Sequence, residues 1–249
     1  MAIEKVKTNN LDFVYILGKG SKWNNNEIKY SIRSVERHVP HRNIVIVGEL
    51  PHFLNRKKII HISVSDKDSN KLKNAINKLM YACRDPRISK DFVLMNDDFI
   101  FTQDIDGLYS YTIGTLDNAK KKHTTKGGYY FRAICDTLDI LNEEGYDTIN
   151  YEVHYPMIIN QQKFLRMIKM HPYWKQLPFL FRSVYGNMYR IPSYEVEDFK
   201  FYIRGFRFKD FVDKVEKWGF VSTDNQVVMR SEFQEWIKKR FPHSIYYEI

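Results

Sequence analysis

The stretch that most constrains this chain runs from Asp91 to Phe101. Phe92 to Met95 is a short unbroken apolar run, which reads as a strand covered on both faces. It stops at Asn96-Asp97-Asp98, and Phe99-Ile100-Phe101 is apolar again. Two adjacent carboxylates between hydrophobic runs are costly unless a cation sits against them. The carboxyl end of a strand is where an open α/β sheet binds ligands. The natural occupant is a hard divalent ion, Mg²⁺ or Mn²⁺, held by carboxylate oxygens and carrying substrate phosphates. The plain alternative is a turn, which Asn and Asp favour for their own hydrogen-bonding reasons. Turns usually lie between polar flanks; these flanks are apolar.

The residues before this stretch alternate strand and helix, which predicts a largely parallel sheet. Phe13 to Leu17, Ile44 to Gly48 and Ile59 to Val64 read as strands. A helix is expected from Asn24, with Glu27 completing a capping box and an apolar stripe of Ile28, Ile32, Val35 and Val39. A second is expected after a Ser69 cap, with Leu72, Ala75, Ile76, Leu79, Met80 and Cys83 on one face. The Gly18-Lys19-Gly20 turn lacks the third glycine of a dinucleotide fingerprint, and the helix after it starts too late to reach a pyrophosphate. That reading is rejected.

Beyond it, residues 117–128 read as a basic flexible loop, either a solvated connection or a flap over an anionic substrate. A helix follows from about Phe131 to Glu144, then a short strand from Asn150 to Val153 and a helix capped by Asn160. Residues 172–202 read as irregular and rich in turns. An amphipathic helix around Phe208 to Trp218, a strand from Phe220 to Thr223 and a helix capped at Ser231 close the chain. With no repeat or linker, residues 1–249 form one α/β domain, a sheet core over about 1–115 and a helix-rich part over about 116–249.

The net charge of +9 suits polyanionic partners, from nucleotide-sugars to nucleic acid, and suits plain solubility equally well. Cys83 and Cys135 fall on apolar helix faces and read as reduced core residues. No signal-like segment opens the sequence and no run nears the ~18 apolar residues of a membrane helix, so a soluble cytoplasmic protein is expected.

Three further positions stand just past a strand or in a polar break: His154, Arg182 and Asp224-Asn225. A lone His is more often structural than catalytic, and an Arg among aromatics often only stacks. Together with Asp97 and Asp98, however, they supply a metal site, a base and a forked cation for phosphate.

In ordered blocks the sequence resembles the Stealth family, bacterial capsule hexose-1-phosphate transferases with an animal relative that transfers N-acetylglucosamine-1-phosphate. Residues 26–35, with Tyr30-Ser31-Ile32-Arg33-Ser34, resemble its "E-L-R-Y-S-L-R-S" helix, and Pro51-His52-Phe53-Leu54 its "P-x-W-L" turn. Phe92 to Phe101 resembles its "F-x-x-x-N-D-D-x-F" strand, and His154-Tyr155-Pro156 and Phe181-Arg182-Ser183 its later histidine and arginine blocks. The resemblance implies the GT-A nucleotide-sugar glycosyltransferase fold, with Asn96-Asp97-Asp98 a variant of the Asp-x-Asp metal motif.

The expected protein is a nucleotide-sugar-dependent, metal-assisted transferase of a sugar phosphate, or a sugar, to an acceptor hydroxyl on a glycan or other polymer. Asp97, Asp98 and Asp224 would hold Mg²⁺ or Mn²⁺, His154 would be the base, and Arg182 would grip a phosphate. Lys19, Trp23, Asn26, Arg33, Asn74 and Asn96 are the expected donor contacts. The rivals are a glycosyltransferase acting on a polymer such as hydroxymethylated DNA or cell-wall glycan, and a non-catalytic polyanion-binding module. Against the latter, no DNA-reading motif is visible, and an acidic centre repels phosphate unless a metal is present.

Overall fold

The computed structural model describes residues 3–18, 21–124, 127–176, 179–243 and 245–249. In chain order, β1 (Val6–Lys7) and β2 (Asp12–Leu17) precede α1 (Asn26–His38), β3 (Ile44–Gly48), β4 (Ile60–Ile62) and α2 (Lys71–Ala82). Then come β5 (Asp91–Met95) and the two-residue strands β6 (Ile100–Phe101), β7 (Gly107–Leu108) and β8 (Tyr111–Thr112). The second half holds α3 (Leu116–His123), α4 (Gly128–Glu143), β9 (Met157–Asn160), α5 (Gln161–Met170) and α6 (Phe181–Met188). Strands β10 (Tyr194–Glu195) and β11 (Lys200–Phe201), helix α7 (Phe208–Trp218), β12 (Phe220–Thr223) and α8 (Ser231–Arg240) complete it.

The central sheet has the order β4-β3-β2-β5-β9, parallel except for β9. Its middle strands are unbroken apolar runs because both faces are covered. Val14, Val45, Val47 and Leu94 pack on one side with Ile76 and Leu79 of α2 and Phe164 of α5. Phe13, Ile44, Ile46, Val93 and Met95 pack on the other with Ile28, Ile32 and Val35 of α1. The period-2 alternation thus divides each strand between two cores. A smaller sheet, β11-β12-β6, lies just beyond the carboxyl end of β5, with β12 antiparallel to β6 and parallel to β11. Among the described residues no helix is long and apolar enough to cross a membrane. Both cysteines are free, and burial pushes the Cys83 thiol up to about 12.

Several local expectations are corrected. Residues 150–153 are not a strand; the strand is Met157–Asn160, which buries Met157 and Ile159 as the antiparallel edge of β5. Residues 116–123 are helical rather than loop: the Thr115 hydroxyl accepts from the Asn118 amide at 3.2 Å, and Lys120 to His123 gather in the last turn, where cations suit the helix dipole. Residues 172–202 hold α6, β10 and β11. Helix α1 starts at Asn26, after Asn24 and Asn25 in left-handed conformations, and Glu27 accepts from the Ser21 hydroxyl at 2.7 Å instead of closing a capping box. Asn70, not Ser69, caps α2; Ser231 lies inside α8; and α4 starts three residues before Phe131. Asn160 caps α5 as expected, accepting from the Lys163 amide at 3.1 Å.

Candidate active site

At the end of β5 the chain turns, with the Phe99 amide donating to the Asn96 carbonyl at 3.3 Å, and β6 carries Ile100 and Phe101 back into the core. Buried apolar residues on both sides hold Asp97 and Asp98 at the sheet's carboxyl end. Asp98 reaches across to β12: its Oδ2 accepts from the Ser222 hydroxyl and from the Thr223 amide at 3.1 Å, and Lys200 Nζ lies 3.6 Å away. Asp97 is pushed up to about 7, first by burial and then by the charges of Asp98 and Glu27. Lys200 and a hydrogen bond to its own backbone oppose that rise without cancelling it. The acidic pair therefore carries more negative charge than this chain neutralises.

Next to it is a cleft of about 620 Å³, bounded by Asn118 and Lys122 of α3, Tyr130 of α4, the 150–154 segment and residues 198–202. The last of these places function by alternation. Asp198, Lys200 and Tyr202 line the cleft, while Phe199 packs on Tyr155, Trp218 and Phe220, and Phe201 on Phe211 and Trp218. Asp198 holds His154 twice: its Oδ1 accepts from the His154 amide at 2.9 Å, and its Oδ2 lies 2.8 Å from His154 Nδ1. Burial alone would raise Asp198, but the His154 hydrogen bonds and charge outweigh it and hold the carboxyl below its ordinary value. Tyr202, edge-on to the His154 ring at 6.4 Å, is pushed up to about 12 by burial and then by Asp198, Asp224 and Asp98.

Arg182 lies beneath, buried, with Nη1 donating to the Tyr155 carbonyl at 2.7 Å and more weakly to Val153 at 3.4 Å. Its Nη2 has no hydrogen-bond partner among the described residues. Burial pushes the guanidinium down, while Glu152, Asp98 and Asp198 pull it up. Glu152, on the cleft wall, accepts from the Ser183 amide and hydroxyl, both at 3.0 Å; burial raises it against the opposing pull of Arg182, Ser183 and His154.

Lys200 links Asp98, 3.6 Å away, to the cleft wall it shares with His154, and Arg182 binds the carbonyls on either side of His154, while the other candidate residues have other partners. Asp224 spends both oxygens on backbone: Oδ1 accepts from Gln226 and Val227, and Oδ2 from Ile203. Trp23 is core, stacked on Tyr30 at 5.5 Å. Asn26 donates to the Trp23 carbonyl at 2.7 Å, and Asn74 orders the loop before α2 through Asp68 and Lys67. Asn96 lies half-buried in the turn. Lys19 falls outside the described residues. Asp198, Lys200, Tyr202 and Glu152 were missed; the polar-apolar alternation from Asp198 to Tyr202 is the signal that marks three of them.

Arg33 is clamped by Glu248, with Nε and Nη2 at 2.6 and 2.8 Å from its oxygens, and Nη1 donates to the Phe241 carbonyl at 2.7 Å. It ties the C-terminal segment to α1. Because the pair is buried, Arg33→Ala leaves Glu248 uncompensated and is expected to cost about 3–5 kcal/mol of stability. Denaturant midpoints check this; an unchanged midpoint would mean that the Glu248 clamp does not carry stability.

A second hollow, about 160 Å³, opens at the carboxyl ends of β2 and β3 and is lined by Leu17, Gly18, Gly48, Ser63, Asp66 and Lys78. The buried Lys78 donates to the Leu17 carbonyl at 2.9 Å and to Asp66. Gly48 has φ 126°, and a Cβ there would stand 1.9 Å from the Leu17 carbonyl oxygen, so no other residue fits.

The fit of a divalent cation can be tested on these donors. Among the described residues no three His, Cys, Asp or Glu side chains gather to hold a metal alone. Asp97 and Asp98 remain, adjacent carboxylates in the turn after β5, where burial and their mutual repulsion hold Asp97 above its ordinary value. That set fits an ion bound through one or two carboxylates, with waters and substrate phosphates as its other ligands, and does not fit an all-protein cage.

In overall shape the chain superposes on a galactosyltransferase, LgtC, whose structure was solved with donor and acceptor sugar analogues. The TM-score is 0.53 over 95% of this chain and 98% of that one, at 12% identity. The fold is that of the GT-A glycosyltransferases. In sequence, 107 residues are 32% identical to the alpha/beta subunits of mouse and human N-acetylglucosamine-1-phosphotransferase. That stretch is 36% of this GT-A chain and only 8% of either relative. No protein-family model matches, so the Stealth resemblance stands as a partial likeness.

Proposed function

We propose that this chain is a nucleotide-sugar-dependent transferase that moves a sugar phosphate to an acceptor hydroxyl. The observation that carries the reading is the junction at Lys200. On one side of it lies the under-neutralised pair Asp97 and Asp98; on the other, His154 in a cleft whose volume suits a sugar substrate. The donor's nucleoside would lie over the carboxyl ends of β2 and β3, its diphosphate toward β5. Asp97 and Asp98 would hold Mg²⁺ or Mn²⁺, which when bound supplies positive charge to the diphosphate. Lys200 adds a cation on the cleft side. Arg182 contributes charge from below; with Nη1 already on carbonyls it is not the open fork first expected, and Nη2 is the part left for a phosphate oxygen.

His154 would take the acceptor's hydroxyl proton as that oxygen attacks phosphorus; the bond between the two phosphates breaks and a nucleoside monophosphate leaves. The partial likeness to a phosphotransferase supports phosphorus as the electrophile, whereas the galactosyltransferase likeness is one of fold alone.

The deciding experiment is to incubate the protein with Mg²⁺, a panel of UDP-sugars and cell lysate as acceptor. Release of UMP is expected. Release of UDP instead would make the reaction glycosyl transfer, with the site standing. Release of neither, across uridine, guanosine and cytidine donors, would favour the binding-module reading.

A further inference from the structure

We propose that Asp198 is the positioning residue that keeps the His154 proton on Nδ1, leaving Nε2 as the basic nitrogen at the cleft. The inference rests on the reading of His154 as the base for the acceptor hydroxyl. Its structural half can be tested without any reaction.

A backbone amide only donates, so Asp198 Oδ1 is committed to the His154 N–H at 2.9 Å. That first bond orients the carboxylate and brings Oδ2 to 2.8 Å from Nδ1. An ionised carboxylate only accepts, so Nδ1 must be the nitrogen that carries hydrogen. Nε2 has no hydrogen-bond partner among the described residues, and its ring lines the cleft.

The grip is built into the fold. The buried Phe199 ring anchors the residue after Asp198, and β11 then pairs with β12, Lys200 opposite Ser222. Those contacts hold the carboxylate near its partner before substrate arrives. In the reaction the hydroxyl proton passes to Nε2, giving an imidazolium that carries hydrogen on both nitrogens and lies against the Asp198 charge. The proton then leaves to solvent.

The same geometry makes an isosteric change unusually informative. In Asp198→Asn the side-chain oxygen must stay on the His154 amide, because two N–H groups cannot face each other. The NH₂ then faces Nδ1, which is forced to accept, and the ring proton moves to Nε2 where it blocks the base. Asp198→Ala loosens His154 but forces neither tautomer. A purely structural role predicts the reverse order, since alanine removes both bonds and asparagine keeps both, one with its direction reversed.

The test uses the whole chain, ¹⁵N-labelled at histidine, with the His154 signals assigned from His154→Gln. Two-bond ¹⁵N–¹H spectra should find Nδ1 protonated in the wild type and Nε2 protonated in Asp198→Asn. In turnover, Asp198→Asn should lose about 10³–10⁴-fold in kcat at nearly unchanged donor KM. Asp198→Ala should lose about 10²-fold, and Asp198→Glu should recover part of that loss. An Nε2–H tautomer in the wild type overturns the proposal while leaving the transferase reading intact. So does a kcat for Asp198→Asn equal to or above that of Asp198→Ala. If the variants fail to fold, the wild-type tautomer alone decides.

Discussion

Asp98→Asn is expected to lower turnover by more than about 10³-fold and to abolish divalent-ion binding while the chain still folds. The fold should survive because asparagine is isosteric and its oxygen can still accept from the Thr223 amide and the Ser222 hydroxyl. What is lost is charge. Lys200, 3.6 Å from Asp98, loses its partner, and only Asp97 remains to attract a cation. Titration with Mn²⁺ reads the result directly, and unchanged affinity would sink the metal assignment.

The change also has a signature in pH. In the wild type without metal, Asp97 binds a proton more tightly folded than unfolded, since burial and then Asp98 and Glu27 push it to about 7. Its contribution to stability is therefore present in full at acid pH and is lost as the pH rises through about 7. A bound divalent ion should suppress that loss. Asp98→Asn removes one of its causes and should reduce it, so unfolding midpoints at pH 5 and pH 8 should lie closer together in the mutant.

His154→Ala should lower kcat by roughly 10²–10⁴-fold with donor affinity nearly kept. The ring lines the cleft, and its hydrogen-bond partner among the described residues is Asp198 rather than Asp97 or Asp98. Deleting it leaves the half-buried Asp198 with one amide donor, so that carboxyl should rise from its lowered value. Kinetics with a saturating acceptor separate the outcomes. A mutant that keeps kcat and loses donor binding would make His154 a ligand contact.

The strands of the central sheet were legible because their residues answer to local rules. Phe13 to Leu17, Ile44 to Gly48 and Phe92 to Met95 are apolar on both faces, and only a doubly covered strand needs that. Helix α2 announces itself by its 3.6-residue stripe. Helix α3 was hidden, since eight residues with one buried side chain offer no stripe to detect. Strand β9 is four residues long and leans on β5 for its pairing, which no local window records.

Among candidate site residues the division is similar. Asp97 and Asp98 stand out because charge between apolar runs is costly wherever the chain ends up. Arg33 and Trp23 show the limit of that reasoning. The same residue types serve a donor site or a core equally well, and only their partners in the fold, Glu248 for Arg33 across 215 positions and Tyr30 for Trp23, show where they are held. The sequence by itself determined the parallel sheet, its elements from β2 to β5 and the acidic turn at its carboxyl end, because burial, periodicity and the cost of charge act within a few residues. The tertiary structure alone decided that Asp198 would meet His154 across 44 positions and that β12 would grip Asp98 across 124. Hydrogen bonds of that kind depend on where strands pack, and two- and four-residue strands carry too few side chains to declare their partners in advance.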